Sequence, residues 1–516
     1  MERIIYVIPY TSIIDQNAGE AKKILEDCDT AGYFLDRVVL EHHSNLTPEE
    51  ETWRQKILAQ DWDAPVVFTT SVQFLEALFA SGTRSVRRMH QLSRSVIIFD
   101  EVQTIPLRCV HMFNNALNFL VRNCGSTVVL CTATQPLLNS VDKKLGSLDI
   151  SINNEIMPDV GRLFAELKRV DVFDKRKVGG WSCDEVAELA DEELKKAGSS
   201  LIVVNTRKAA QELYEKCHQR IQTEIHHLST NMCPAHRMKV LKKIRSCLDI
   251  NNPTPILCIS TQLIEAGVDV DFGSVIRSVA GLDSIAQAAG RCNRNGLKPT
   301  GRVFIINPGF EKLDKLIDIT IGKEKAERLL DEYKNDPAYF DHNILGTKAI
   351  ARYFQYYFYE RASEMKYPVG RNSIIGRDDN LLELLSVNKT SFDEYARSNN
   401  NNAPPIFFRQ SFMSAAKMFQ AIDSITQGII VPYLEGKTII ADLCSAFDVE
   451  KQYKLIRDAQ RYSVNLFPNE WKKLDDADAI HEVQEGAGIY YLDEQYYSPV
   501  FGLSMNPVNK STFLEA

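Results

Sequence analysis

Two adjacent carboxylates close an apolar run in Val96-Ile97-Ile98-Phe99-Asp100-Glu101-Val102-Gln103. A β-branched strand that ends in acids carries them to its carboxyl end, where open α/β sheets bind ligands. There Asp100 suits a Mg²⁺ ion. Glu101 suits polarisation of a water that attacks a terminal phosphate, while the metal offsets charge on the transferring group. Such a pair is common by chance, so it needs company. The next apolar run ends in Thr132-Ala133-Thr134. Its hydroxyls either couple a nucleotide site to a second lobe or cap a turn before Pro136.

Ser260-Thr261-Gln262-Leu263-Ile264-Glu265-Ala266-Gly267-Val268-Asp269 is more specific, since it follows a strand and joins hydroxyls, an acid, a glycine and a final aspartate. Thr261 and nearby N–H groups suit a phosphate of a nucleic acid. Glu265 and Asp269 are candidates to shape the cleft. Gly267 and Asp269 are read as nucleotide contacts, and Thr261 and Glu265 as nucleic-acid contacts. Farther on, Gln287-Ala288-Ala289-Gly290-Arg291-Cys292-Asn293-Arg294 sets two arginines three apart. On a helix these share one face and present two fixed cations to polyphosphate, as an arginine finger does. Gln287 falls on nearly the same side. Each block alone admits a bland reading; their order within 200 residues does not.

The elements that position these residues are short and alternate. Apolar strands at Arg3–Pro9, 38–40, 66–68, 95–99 and 127–131 are separated by helical stretches, and a helix follows the first to about Cys28. Brief, nearly continuous apolar strands between helices indicate a parallel sheet covered on both faces. The pattern repeats with strands at 201–204, 224–228, 256–259, 275–276 and 302–306 and helices at 206–217 and 234–248. Two α/β lobes, 1–150 and 160–310, follow, with a link near 153–159. Residues 311–405 read as a helical region ending in a linker, Ala396–Pro405, and 406–516 as a small C-terminal domain. The aromatic cluster Tyr353, Phe354, Tyr356, Tyr357, Phe358 and Tyr359 is expected to pack as core rather than stack on bases.

A 516-residue chain with 44% hydrophobic and 25% charged residues has the balance of an ordinary globular protein. Its eleven cysteines lack CxxC spacing, which suits buried cytosolic thiols. No apolar run approaches the roughly 20 residues of a membrane helix, so a cytoplasmic location and no membrane partner are expected. A net charge of -8 leaves nucleic-acid binding open, because a local groove of backbone N–H groups, hydroxyls and a few arginines suffices to hold a strand.

Together these blocks resemble the superfamily 2, DEAD/H-type helicases, and in particular the CRISPR-associated helicase–nuclease of type I systems. Pro9-Tyr10-Thr11-Ser12-Ile13-Ile14 is similar to that family's second conserved block, and Thr69-Thr70 to its strand-contacting threonines. Asp100–Gln103 matches its magnesium and water-activating box, and Thr132-Ala133-Thr134 its coupling motif. Asn205-Thr206-Arg207 and His227-Leu228-Ser229 fit the start of its second lobe, and Leu282-Asp283-Ser284-Ile285 running into Gln287–Arg294 has the CRISPR-type form. Gln410-Ser411-Phe412, Ala415-Ala416-Lys417 and Ile430-Val431-Pro432-Tyr433 resemble its accessory C-terminal domain.

The resemblance implies tandem RecA-like parallel-sheet lobes, a helical linker and a small accessory domain. It implies ATP and Mg²⁺ as cofactors, with Thr11, Thr69, Thr70, Thr206 and Arg207 joining Thr261 and Glu265 on the nucleic acid. Such proteins move 3′ to 5′ on single-stranded DNA after recruitment by a guide-RNA surveillance complex, and an N-terminal HD domain cuts the strand.

No GxxxxGK[ST] sequence occurs in the chain, so no lysine and no nest of N–H groups is set to hold β- and γ-phosphates. No His…His-Asp…Asp nuclease arrangement occurs either, and Asp341-His342 reads as surface chemistry. The first lobe is therefore expected to lack its initial strand and phosphate loop and to expose apolar surface and an unpaired edge. A truncated or split gene product, a fragment, or one half completed by a second polypeptide would each account for this, and without completion negligible ATP turnover is expected. A general superfamily 2 DNA or RNA helicase and a catalytically inert nucleic-acid-binding fragment are the competing readings.

Overall fold

The computed structural model describes residues 2–9, 11–25, 38–42, 60–265, 267–422, 426–445 and 448–508. The chain forms two compact units, each from discontinuous stretches: Met1–Val160 with Ile350–Asp423, and Gly161–Ala349 with Ser424–Ala516.

In the first unit five parallel strands, β1 (Arg3–Ile8), β2 (Val39–His42), β3 (Val66–Thr70), β4 (Ser95–Asp100) and β5 (Thr127–Cys131), lie in the order β2-β3-β1-β4-β5. Val, Ile and Phe dominate them because branched and aromatic side chains pack well on a pleated surface. Helices Ser71–Phe79 and Val110–Cys124 contribute to the core that includes Ile5, Val67, Phe74, Phe99, Phe113 and Leu117. The Phe99 ring meets Phe74 and Phe113 edge to face at centroid distances of 4.9 and 5.1 Å. Met365, Tyr367, Leu381 and Phe419 extend the same core, which is why residues 350–423 belong to this unit. Tyr367 fastens that return through its hydroxyl, which donates to the Gln420 carbonyl at 2.9 Å and accepts from the Gln420 N–H at 2.7 Å.

Coverage of this sheet is uneven. Along β4 the residues alternate between buried and half-buried, and β5 is half-buried or exposed over its whole length. Parallel sheets normally have both faces covered. Here the Val96, Ile98, Val128 and Leu130 side chains keep partial access to solvent.

The second unit holds six parallel strands, β6 (Val170–Asp174), β7 (Ser199–Val203), β8 (Glu224–Leu228), β9 (Ile256–Ser260), β10 (Ser274–Ser278) and β11 (Gly301–Ile306), in the order β6-β11-β10-β7-β9-β8. Every residue of β9 and β10 is buried, the signature of a sheet covered on both sides. Helix Cys183–Ala197 starts at a capping box in which Ser182 and Glu185 bond each other's backbone N–H groups. A smaller sheet formed by Ser463–Leu466, Gln427–Ile430, Tyr490–Leu492 and Ile480–Glu482 completes the unit. It shares a core with the start of helix Pro234–Cys247, where His236 stacks on Tyr433 at 4.2 Å and sits 3.0 Å from the Tyr497 hydroxyl. Burial lowers His236 to about 4 and His227 to about 3, so both imidazoles are neutral at pH 7.

Tandem parallel-sheet lobes with a smaller C-terminal region are thus the architecture that the alternation of elements implied. Three details differ. β6 is a sixth strand that the short, charged segment Val170–Asp174 did not advertise. The boundaries expected at 310/311 and 405/406 do not coincide with the units, because apolar residues of 350–423 complete the first core and residues from 424 onward complete the second. Within the expected linker, 396–398 still belong to helix Lys389–Ser398. Tyr353 and Phe354 are buried and Phe358 packs on the first core, whereas Tyr359 is exposed on helix Thr347–Glu360. Among the described residues no helix is long and apolar enough to cross a membrane.

The uneven cover yields a stability contrast. Phe99→Ala should cost the first unit about 3–5 kcal/mol in urea unfolding, and Val128→Ala at the half-open strand less than about 1.5 kcal/mol. Equal losses would mean that β5 is as well covered as β4.

Candidate nucleotide and nucleic-acid site

Asp100 is the last residue of β4, and Glu101 leaves the strand with φ 52° and ψ 51°, in the left-handed region. A non-glycine residue pays to stay there, a strain commonly found at functional sites. The Gln103 amide N–H donates to Glu101, its carbonyl accepts from the Thr132 hydroxyl, and Thr132 Oγ1 accepts the Thr134 N–H at 2.9 Å. One continuous line of hydrogen bonds therefore joins the acid pair to Thr132-Ala133-Thr134. Thr134 Oγ1 is itself buried and makes no hydrogen bond.

Burial pushes the Asp100 carboxyl above the usual carboxylate range, and the neighbouring Glu101 charge pushes it further. Asp100 in turn helps to hold the Tyr6 phenol at about 12, after burial. A half-buried acid facing another acid is a fit for a divalent cation, which would relieve both effects. Elsewhere in the unit, Thr70 caps helix Ser71–Phe79 by accepting the Gln73 N–H at 3.1 Å, and Thr69 donates to the His42 carbonyl at 3.1 Å. Thr11 opens helix Thr11–Leu25, and its side chain lies outside the described residues.

In the second unit the ends of β7, β9 and β10 converge on a buried network. Arg277, with no exposed surface, sits in the apolar strand β10. Its Nη1 donates to Asn205 Oδ1 at 2.8 Å and to the Ser278 carbonyl at 2.6 Å, and its Nη2 donates to Ser284 at 3.1 Å. Its Nε lies 2.8 Å from Glu265 Oε1 as an ion pair whose angle falls short of a hydrogen bond. Glu265 also accepts from the Ser284 hydroxyl at 2.5 Å. Burial pushes its carboxyl up, and Arg277 pulls it back. Glu265, read from the sequence as a nucleic-acid contact, is placed by the structure as an internal brace.

Glu311 closes the other side. It accepts the Asn205 Nδ2–H at 2.9 Å and the Thr206 N–H at 3.0 Å, and the Ser278 hydroxyl also donates to it. Thr206 caps helix Arg207–Arg220 by accepting the Ala209 N–H at 3.2 Å. Arg207 is ion-paired with Glu470 and donates to Asn231, so its charge is held toward the C-terminal region of this unit. Thr261 is buried, its N–H bound to the Leu228 carbonyl at 3.1 Å.

The shared helical face expected for Arg291 and Arg294 does not form. Helix Leu282–Ala289 ends at Gly290, Cys292 bridges to Phe272, and Asn293 turns with φ 48°, held by its Nδ2 on the carbonyls of Arg169 at 3.0 Å and Lys298 at 2.8 Å. Arg291 is buried and donates to the Ile264 and Glu265 carbonyls at 3.0 and 2.6 Å, bracing the turn that bears Thr261. Arg294 pairs with Asp269 at 2.9 Å, while its own N–H is held by Asp271 at 2.7 Å. Gly267 takes φ 74°, and Gln287 is half-buried on the helix. Sequence reasoning missed Arg277 and Glu311. The first had a signal, an arginine directly after the apolar pair Val275-Ile276 in a fully buried strand. The second lies one residue beyond the boundary drawn for the lobe.

A family model described as CRISPR-associated nuclease/helicase Cas3, C-terminal, matches residues 196–297, the stretch that holds most of this network. The CRISPR-associated nuclease/helicase Cas3 of Haloferax volcanii is 24% identical over 386 residues, which cover 57% of this chain and 41% of that protein. Its counterpart in Methanothermobacter thermautotrophicus is 28% identical over 247 residues, 45% of this chain and 28% of that protein. This chain is homologous to the Cas3 family. The matched part is under half the length of either relative. The fold agrees as well: the crystal structure of T. fusca Cas3 with AMPPNP matches with a TM-score of 0.63 at 14% identity, covering 97% of this chain and 65% of that one. A pre-nicking CRISPR RNA-guided surveillance complex contains a chain that matches with a TM-score of 0.52 at 14% identity, over 95% and 61%.

The sole Gly-Lys-Thr triplet of the sequence, Gly436–Thr438, lies in the second unit, with Val431 where a phosphate loop would have its first glycine. Lys437 is paired with Glu494. It does not supply the missing phosphate cradle.

Two measurements test the site. Arg277→Met strands a buried carboxylate and should cost the second unit about 3–5 kcal/mol, while the double change with Glu265→Gln recovers most of that loss. Equal destabilisation by both would refute the brace. For Asp100, the folded state holds the proton more tightly than the unfolded state, so stability falls as pH rises from the ordinary carboxylate range through the raised value. Asp100→Asn should therefore stabilise the first unit at pH 7, by roughly 1 kcal/mol or less given its partial exposure. The gain should vanish well below the ordinary aspartate value of about 3.9, where Asp100 is protonated in either state.

Proposed function

We propose that this chain is the motor portion of an ATP-dependent translocase that moves 3′ to 5′ on single-stranded DNA during type I CRISPR target degradation. The observation that carries the reading is the hydrogen-bonded line from Glu101 through Gln103 to Thr132 and Thr134. It gives the acid pair a fixed orientation and a mechanical outlet, as a motor that couples hydrolysis to movement needs. Homology to the Cas3 family supports the helicase class, and likeness to a chain of a surveillance complex supports a guide-RNA complex as recruiting partner.

In this reading Asp100 holds Mg²⁺, which when bound supplies charge neutralisation at the phosphates of ATP. Glu101 accepts a hydrogen bond from the attacking water and takes its proton, and Gln103 keeps that carboxylate from rotating away. Thr132 senses any shift of Gln103 and passes it to the 132–134 turn. In the second unit the Arg277–Glu265 pair and Arg291 keep the 261–265 turn rigid, so that Thr261 and neighbouring N–H groups meet a phosphate of the strand without rearranging.

The test is ATP turnover. The 516-residue chain alone should hydrolyse ATP negligibly with Mg²⁺ and single-stranded DNA. With a segment carrying a phosphate loop supplied, in cis or in trans, turnover should appear, and Glu101→Gln should then lower it by at least about 100-fold. Steady turnover by these 516 residues alone, abolished by Glu101→Gln, would keep the motor and overturn the need for such a loop. Single-strand binding indifferent to ATP, even with that segment present, would favour an inert nucleic-acid-binding fragment instead.

A further inference from the structure

At the opposite ends of the strands from Thr261, the edge of the second sheet gathers three donors of mixed type. Glu224 and His226 stand two apart on β8, so they project from the same face, and Cys247 is the last residue of helix Pro234–Cys247. Glu224 Oε1 is 2.9 Å from His226 Nε2, Glu224 Oε2 is 3.3 Å from Cys247 Sγ, and one donor atom from each residue lies within 4.8 Å of the other two. His226 and Cys247 are largely buried, whereas the Glu224 side chain is 49% exposed and leaves an entry path.

We propose that Glu224, His226 and Cys247 form a site for a borderline-soft divalent cation of the zinc type, with water as fourth ligand. Zinc bonds of about 2.0–2.3 Å in a tetrahedron hold donor atoms roughly 3.3–3.6 Å apart, close to the spacing found here. The imidazole is also in a suitable state. His226 Nε2 is buried and makes no hydrogen bond of acceptable angle, although it lies beside a carboxylate. Burial keeps the imidazole neutral by lowering its pKa, with a lone pair to give. The thiol leans on Glu224, the base nearest to its proton. On binding, the S–H bond breaks, the thiolate donates its pair to the metal, and the proton leaves to solvent.

The end of a helix carries partial negative charge, which favours a cation beside Cys247. Burial pushes the Cys247 thiol up, so a metal must displace its proton; Lys243, one turn earlier, opposes the cation but favours the thiolate. A thiolate–imidazole–carboxylate set selects zinc-like ions over Mg²⁺, so this site is chemically separate from Asp100. Occupied, it would tie the edge strand β8 to the helix that also carries the Cys233 and His236 contacts with the C-terminal sheet.

Titration of the chelator-treated, reduced full chain with Co²⁺ tests this. One equivalent should produce thiolate-to-cobalt charge transfer in the near ultraviolet and visible d–d bands. Zn²⁺ should bleach them, a large excess of Mg²⁺ should not, and the second unit should melt at higher temperature with metal. Cys247→Ser and His226→Gln should each weaken binding by more than the roughly 10–100-fold that loss of a supporting hydrogen bond costs a metal site. Change of the exposed Cys444 to Ser should leave it intact. Absence of the bands, or their survival in Cys247→Ser, would overturn the site. Should Cys247→Ser fail to fold, Glu224→Gln at the exposed ligand provides the same reading.

Discussion

A guanidinium without solvent must find a partner for its charge and for most of its five N–H groups, and Arg277 imposes that demand at the carboxyl end of β10. Much of the second unit's candidate site is arranged as the answer. Asn205 reaches it from the end of β7, Glu265 from the turn after β9, and Ser284 from helix Leu282–Ala289. The groups that satisfy Arg277 need partners in turn. Asn205 finds Glu311, which also takes the Thr206 N–H, and the carbonyl of Glu265 finds Arg291. Three strand ends, two helix starts and one turn are thereby fixed to each other through buried polar bonds. In a low-dielectric interior such a network holds one geometry or fails as a whole.

The same constraint explains which parts of the site were legible in the sequence. Asp100, Glu101 and Thr132 declare themselves because strand periodicity fixes where a run ends and chemistry fixes what acids and hydroxyls do there. Motif residues of the second lobe were equally visible, but their spacing did not reveal their partners. Glu265 looks like a ligand contact until Arg277 is set beside it, and that pairing spans two strands. Arg291 and Arg294 read as one helical face because a 3.6-residue period was assumed to continue through Gly290. The competing bonds are those of Cys292 to Phe272 and of Asn293 to Arg169 and Lys298, and they break the period after Ala289. Units assembled from discontinuous stretches escape a reading that moves along the chain. Nothing local in Tyr367 or Phe419 says that they complete a core begun at Ile5.

The two sheets show opposite economies. In the second, complete burial of β9 and β10 makes the strands rigid carriers of the loops at their ends. In the first, β4 is anchored on one face by Phe74 and Phe113 while its other face and all of β5 stay partly wet. The acid pair therefore sits on a strand that is firm on one side only. Burial and mutual repulsion raise the proton affinity of Asp100, which is a cost in stability at neutral pH that a bound cation would remove. Such a site would be most stable when loaded.

Hard and soft donors are also kept apart. At the carboxyl end of β4 the candidate ligand is a carboxylate beside a second carboxylate, a set suited to Mg²⁺, which keeps its waters and accepts oxygen. At the amino end of β8 a thiol and an imidazole join a single carboxylate. An ion that prefers the first has little reason to displace the thiol proton at the second. A zinc-like ion held by Cys247 and His226 would gain nothing from an all-oxygen pair that could not match those ligands. Donor chemistry alone would thus keep a hard cation at the proposed Asp100 site and a zinc-like ion at the proposed Cys247 site.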